Sequence, residues 1–458
     1  MEASRPAGNG SAQPRKELSL FDTSAIIVGI IIGSGLYESS PVIAGSVRSI
    51  GELVGVWFAG GVFALIGALC YAELATHYPS EGGDYVFLRN AWGRAAGFLF
   101  GWLQLWVVRP GSIGAMAYVF GAYAQQLAPV GEQGSTIYAC GAIVLLTAIN
   151  VLGVRPGKWT QDVLTSAKVI GLASIVAVAL WVAPHPEAVA NAAPSEGNLR
   201  LAMILVLFAY GGWNEMAYVA AEVRDPQRNI VRALLGGTIV VVLVYVSVNF
   251  ALAHTLGLSG MAGSQAVAAE AIARAVGPWG GQAVSLLICI SALGSMNGMT
   301  FTGSRIYYAM GHDHRLFAPL GRWHPRLQSP VNSLLTEAAI TLVMIVSLAA
   351  IYGSDRRHFE RLVTFTAPFF WLFLLITGGT LIVLRQRRRA GETLGFRVPF
   401  YPVTPLVFMA VCGFMTWSSL TYAYQNRSIE AVGSIAALVV GVILAVLDSF
   451  TAQTDERE

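Results

Sequence analysis

The sequence predicts an all-α polytopic membrane protein of twelve transmembrane helices, arranged as a 5+5 inverted repeat with broken helices 1 and 6. Composition, the spacing of the apolar runs and two glycine-rich interruptions half a chain apart point that way. Of 458 residues, 55% are hydrophobic and only 12% charged, whereas in soluble domains roughly a quarter are charged. The apolar runs fall at 20–44, 51–76, 95–126, 136–153, 160–183, 199–221, 231–256, 280–309, 331–352, 361–384, 403–424 and 430–448. Each is close to or above the ~20 residues that a helix needs to cross a bilayer. The net charge of +3 does not indicate nucleic acid, because the basic residues lie between spans and form no stripe.

The first run is interrupted at Ile30-Ile31-Ile32-Gly33-Ser34-Gly35-Leu36-Tyr37. Glycine is a poor helix residue and leaves the backbone uncovered, so a helix broken here aims free N–H groups of its second half into the interior. Irregular backbone at membrane depth is tolerated where it lines a cavity, and paired broken helices mark the substrate site in several transporter folds. A second interruption, Ala209-Tyr210-Gly211-Gly212-Trp213-Asn214, lies inside the sixth run. One such break alone reads as a close-packing surface between helices. Two breaks five spans apart instead predict a repeat: residues 19–184 and an inverted copy at 197–390, with two peripheral helices at 401–449.

An even number of spans puts both termini on one side. Of the 29 Lys and Arg residues, 20 fall on that side, seven opposite, and Arg109 and Lys168 within spans, which predicts cytoplasmic termini. The Arg356, Arg357 and Arg361 group is the discordant one. Residues 1–18 and 450–458 read as cytoplasmic tails, the first disordered and without a cleavable signal. Cys70, Cys140, Cys289 and Cys412 all lie in apolar spans as small buried side chains, with no disulfide framework, metal-ligand spacing or cofactor motif. Asn426-Arg427-Ser428 matches a short glycosylation pattern.

Polar residues within spans are the remaining signals. The stretch from Ser80 to Gly93 reads as a cytoplasmic surface helix. In the third span Arg109 precedes Pro110 and needs an ion pair or carbonyls, or else meets substrate; Ser112 is small enough to sit against a ligand. Lys168 lies about two turns into the fifth span and either snorkels or finds oxygens. Ser291 and Ser295, four apart on one face of the eighth span, offer such oxygens. Residues 264–277 read as an outer helix lying on the protein. The cluster Phe365 to Trp371 either walls a pocket or packs.

Several segments, in order, resemble the amino acid–polyamine–organocation superfamily, and within it the L-type amino acid transporters and their bacterial homologues. They are Gly29 to Gly35, Gly61 to Leu74, Val108-Arg109-Pro110-Gly111-Ser112, Phe208 to Asn214, and Ser295-Met296-Asn297-Gly298 followed by Phe301 to Arg305. The resemblance implies a LeuT-like fold, with a bundle of spans 1, 2, 6 and 7, a scaffold of 3, 4, 8 and 9, gates at 5 and 10, spans 11 and 12 peripheral, and a substrate held at the breaks. It implies that the Ser34 and Gly35 N–H groups take the carboxylate of an L-amino acid. Carbonyls of Ile30 or Ile31 and of Phe208, Ala209 or Gly211 take its ammonium, as free helix ends would. Phe208 corresponds to a gating aromatic, and Ser112, Trp213 and Asn214 to positions near the side chain. Lys168 corresponds to a resident cation bridging to Ser291 or Ser295, where sodium-coupled relatives of the fold hold a metal ion. Glu215 stands where an aromatic or small residue is expected, so side-chain preference does not carry over. Animal members are disulfide-linked to a heavy chain through a cysteine between spans 3 and 4; residues 128–135 contain none, so no such partner is expected.

The expected function is alternating-access transport of neutral L-amino acids by sodium-independent exchange in a plasma (inner) membrane. Alternatives are a proton-coupled symporter, an antiporter for cationic amino acids or polyamines, and a non-transporting sensor. An enzyme is disfavoured because the spans offer no nucleophile with a base and no metal set.

Overall fold

In the computed structural model, residues 14–33, 35–181, 197–264, 266–353, 357–388, 395–425 and 429–455 are described. Residues 1–13 of the tail, Ser34 and the Asn426-Arg427-Ser428 tripeptide, for which expectations were stated above, lie outside them. Among the described residues the secondary structure is helical apart from three isolated bridges, such as Leu18 with Val223.

Ser19 opens the first helix with a capping box: its backbone N–H donates to Asp22 Oδ2 at 2.7 Å, and its hydroxyl accepts from the Asp22 N–H. Helix α1 (Leu20–Ile31) ends at the first break, and α2 (Gly35–Gly45) leaves it at 47° to α1. Then come α3 (Ile50–His77), α4 (Asp84–Trp92), α5 (Arg94–Leu103) and α6 (Arg109–Leu127). Between the last two, Gln104–Val108 forms a π-helical turn. The third span is therefore not a uniform α-helix, because Pro110 has no N–H for the preceding turn and the backbone widens ahead of it.

Next are α7 (Gly134–Val151), α8 (Val154–Trp181) and α9 (Leu199–Ala209). After the second break the chain does not resume an α-helix but winds as 3-10 turns at Trp213–Tyr218 and Ala220–Glu222. The set is completed by α10 (Pro226–Gly263), α11 (Val267–Val276), α12 (Trp279–Asp313), α13 (Val331–Tyr352), α14 (His358–Arg387), α15 (Val403–Gln425) and α16 (Ile429–Asp455). Helix α10 kinks at Gly257, whose φ of 68° suits a residue without a β-carbon.

Nine described helices are long and apolar enough to cross a membrane, and the bent pair α1/α2 passes the same test together. The protein is an integral membrane protein. Burial separates the helices by position: α12 buries 83% of its apolar window and α16 only 17%, so α12 is central and α16 faces outward. Ile137, Val144, Trp159, Ile170, Val343 and Ile443 expose large apolar surfaces, which suits lipid rather than water.

Of the two surface expectations, the first changes and the second is kept. Helix α4 is tucked in, with Asp84, Tyr85, Phe87 and Leu88 buried, because the Tyr71, Tyr218 and Thr377 hydroxyls all donate to Asp84 at 2.6–3.0 Å. The outer segment forms α11, packed on α12 and α8.

Candidate substrate site

The ending of α1 governs this region. A helix leaves its last four carbonyls without intrahelical donors, and buried carbonyls must be satisfied somehow. Here every one finds a donor from another helix. Lys168 Nζ, buried on α8, donates to Gly29 O at 2.7 Å, Ile32 O at 2.8 Å and the Ser291 carbonyl at 2.9 Å. Ser295 Oγ donates to Gly29 O at 3.0 Å and reaches Ile30 O at 3.3 Å, and Ser291 Oγ donates to Ile32 O at 2.9 Å. Tyr245, on α10, donates to Ile31 O at 2.7 Å and lies 3.1 Å from Ala209 O.

Lys168 does not snorkel. Its three protons meet three carbonyl oxygens, which saturates an ammonium, and a cation at a helix C-terminus is favoured by the dipole. Nor do the two serine hydroxyls accept from the lysine; they donate alongside it, and the lysine takes the Ser291 carbonyl instead. The ladder continues along α8, where Thr165 Oγ1 donates to Ala25 O at 2.9 Å. Gly294 leaves the room: a β-carbon there would lie 2.9 Å from Lys168 Nζ.

The two breaks interlock. A β-carbon on Gly35 would lie 3.2 Å from Ala209 Cα, and Gly212, at φ 118°, packs its α-carbon against Ile30. Beside them is a cavity of about 130 Å³, well under the ~300–1,000 Å³ of pockets for drug-sized ligands. Ile30, Ile31, Gly35, Ser112, Phe208, Ala209, Gly211 and Asn214 line it, as does Ser295. Lys168 and Ser291 stand behind its wall.

Trp213 is not on the wall. Its ring packs edge-on against Tyr71 and Phe408, over Gly67, because the 3-10 turn points it outward from the break. Of the carbonyls proposed for an ammonium, Ile31 O and Ala209 O already receive Tyr245, and Phe208 O accepts from the Gly211 N–H at 3.1 Å. Ile31 O also accepts from the Gly33 N–H at 2.7 Å, and Phe208 O also accepts from the Tyr210 N–H, so of these three Ala209 O is the one with a lone pair to spare.

The wall also holds Gln104, which the sequence did not single out, and residues of the Phe365 to Trp371 stretch, for which walling a pocket was one of two readings. Gln104 comes from the π-helical turn, and Thr366, Ala367 and Phe370 come from the aromatic stretch of α14. Arg109 and Glu215 line the cavity as an ion pair, Nη1 to Oε2 at 2.8 Å, both side chains less than a tenth exposed. Thr302 Oγ1 donates to the same carboxylate oxygen at 2.6 Å. Arg109 thus takes the ion-pair reading, and Glu215 presents a neutralised carboxylate. Tyr218 closes one end, its N–H-bearing turn held by the Gly82 N–H, which donates to Tyr218 O at 3.0 Å.

Residues 18–445 match the family described as amino acid permease. The chain belongs to the amino acid permease family. It is 30% identical over 432 residues to the serine/threonine exchanger SteT of Bacillus subtilis (strain 168), covering 93% of this chain and 96% of that protein. The human large neutral amino acids transporter small subunit 2 is 32% identical over 397 residues, 83% of this chain and 72% of that one. The human b(0,+)-type amino acid transporter 1 is 31% identical over 390 residues, 82% and 78% respectively. This permease is a transporter and not an enzyme.

Proposed function

We propose that this permease exchanges neutral L-amino acids across the plasma (inner) membrane by alternating access, without sodium. Twelve spans in a 5+5 inverted repeat, with both termini cytoplasmic, provide the frame. The observation that carries the reading is the arrangement of the α1 carbonyls: the oxygens that could ligate a coupling cation between α1 and α12 are taken by the Lys168 ammonium. On the other side of those residues both breaks line one small cavity.

The substrate carboxylate sits at the start of α2, where the Gly35 N–H lies at the positive end of the helix. Its ammonium uses the remaining lone pairs of the carbonyls at Ile30 and Ala209, each of which accepts one hydroxyl. Phe208, half-buried on the wall, acts as the lid. Neutral side chains are favoured because the two charged groups on the wall, Arg109 and Glu215, cancel each other. The exchanging relative from Bacillus subtilis supports exchange over symport. No disulfide-linked partner is required.

Counterflow tests this directly. Purified permease in liposomes loaded with an unlabelled neutral amino acid should take up the labelled one far faster than in empty liposomes. Gly35→Leu should abolish both uptake and binding, since its side chain must enter the space held by Ala209. Equal uptake into empty liposomes would contradict exchange, and binding by Gly35→Leu would remove the site.

A further inference from the structure

One buried acid has no place in the mechanism above. Glu337, on α13, is 1% exposed, and neither carboxyl oxygen has a hydrogen-bond partner among the described residues. Arg109 Nε is equally without an acceptor. A β-carbon built on Gly303 would lie 2.3 Å from Glu337 Oε1 and 2.9 Å from Arg109 Nε. The unused acid and the unused donor therefore face each other across a glycine.

The charges nearby are few. Arg109 comes from α6, Glu215 from the 3-10 turn, and Arg305 with the Tyr307 phenol from α12. Arg305 is committed elsewhere, to Glu222 at 2.7 Å. Helix α7 and the π-helical turn contribute no charged residue. The working set is one guanidinium and two carboxyls. Ionising both acids would leave a net negative charge in the membrane interior, with Glu337 bare, at a cost of several kcal/mol. One proton makes the set neutral. Glu215 already has two donors, Arg109 and Thr302, so the proton belongs on Glu337.

Three of these pieces are on helices that pack directly on one another, α6, α12 and α13. Glu215 alone is on the short 3-10 segment after Gly211-Gly212. We propose that Glu337 is the second station of Arg109, a proton-binding positioning residue on which the guanidinium rests when Glu215 withdraws. The proposal rests on the alternating-access reading. As the 3-10 segment moves, Arg109 crosses over Gly303. The O–H bond of Glu337 breaks, its proton is handed to the departing Glu215 carboxylate as the guanidinium leaves it, and a new O–H bond forms there. The guanidinium stays charged throughout. The set carries one proton and no net charge in both positions, so the crossing requires no proton from either side of the membrane, as electroneutral exchange requires.

Two variants and one spectrum test this in liposome-reconstituted protein. Glu337→Gln keeps the shape of the neutral acid but cannot take the guanidinium as a charge partner. Gly303→Ala puts a methyl group in the crossing itself. Each should bind a neutral amino acid within about twofold of wild type while exchange turnover falls by at least about tenfold. The infrared spectrum of the unaltered protein should contain the C=O stretch of a neutral buried carboxyl that Glu337→Gln removes. Wild-type turnover in either folded variant overturns the proposal, as does an infrared spectrum that Glu337→Gln leaves unchanged in this region. Absence of counterflow by the unaltered protein would instead count against the transport reading.

Discussion

Two cations are buried in this permease within reach of the same cavity, and their surroundings are opposite in kind. Lys168 has three donors and three carbonyl acceptors, drawn from α1 and α12. Arg109 has five donors in a fixed fork, yet Nε has none to serve, and its carboxylate partner is carried by a short 3-10 turn. A buried charge that is completely satisfied ties its neighbours together, because every alternative arrangement exposes something. One that is incompletely satisfied, with a second acid across a glycine, has an alternative ready. We read Lys168 as a strut and Arg109 as the movable part.

Removing the strut should give the largest effect. Lys168→Ala removes the common donor of the Gly29, Ile32 and Ser291 carbonyls, leaving Gly29 O and Ile32 O to single serine hydroxyls, and takes the cation away from the negative end of α1. Exchange turnover should fall by at least about a hundredfold, with a lowered melting temperature. Substrate affinity should hold within a few-fold, because the amine stands behind the cavity wall. Near-wild-type turnover, measured by counterflow, would mean that the α1 carbonyls do not need this donor.

On the movable side the loss should be smaller. Glu215→Gln removes the present charge partner of Arg109, but Glu337 is in reserve across Gly303. The melting temperature should drop less than for Lys168→Ala, and the order in which neutral amino acids compete for binding should not change. A larger loss of stability than in Lys168→Ala would show that Arg109 has no second station and would erase the distinction between the two cations.

The contrast also separates what the sequence made legible from what it did not. Both breaks could be read because glycine acts locally, through its own backbone freedom. Lys168 stood out because a lone amine in an apolar run must find oxygens. Its partners were harder: the prediction named the hydroxyls of Ser291 or Ser295, whereas Lys168 takes the Ser291 carbonyl and both hydroxyls donate to α1 alongside it, because sequence does not say which way an O–H points. Arg109 and Glu215 each drew attention singly, yet 106 positions separate them, and nothing local to either pointed to the other. Tyr245 and Glu337 were not singled out, although an acid inside the run 331–352 is the same kind of signal as Lys168. Trp213 was placed near the substrate side chain by the family resemblance alone, and the 3-10 turn at this break instead packs it against Tyr71 and Phe408. The twelve apolar runs did correspond to helical regions, but the third contains a π-helical turn and the sixth loses its second α-helix, since both departures depend on packing rather than hydropathy.

The central claim is that a resident ammonium occupies the place where a coupling ion would otherwise bridge α1 and α12. The most direct measurement imposes a sodium gradient, inward or absent, on liposomes containing the unaltered permease, with and without internal amino acid. Labelled amino acid should enter at the same rate under both ionic conditions and should depend only on the internal pool. Accumulation driven by the sodium gradient in liposomes without internal amino acid would contradict the account.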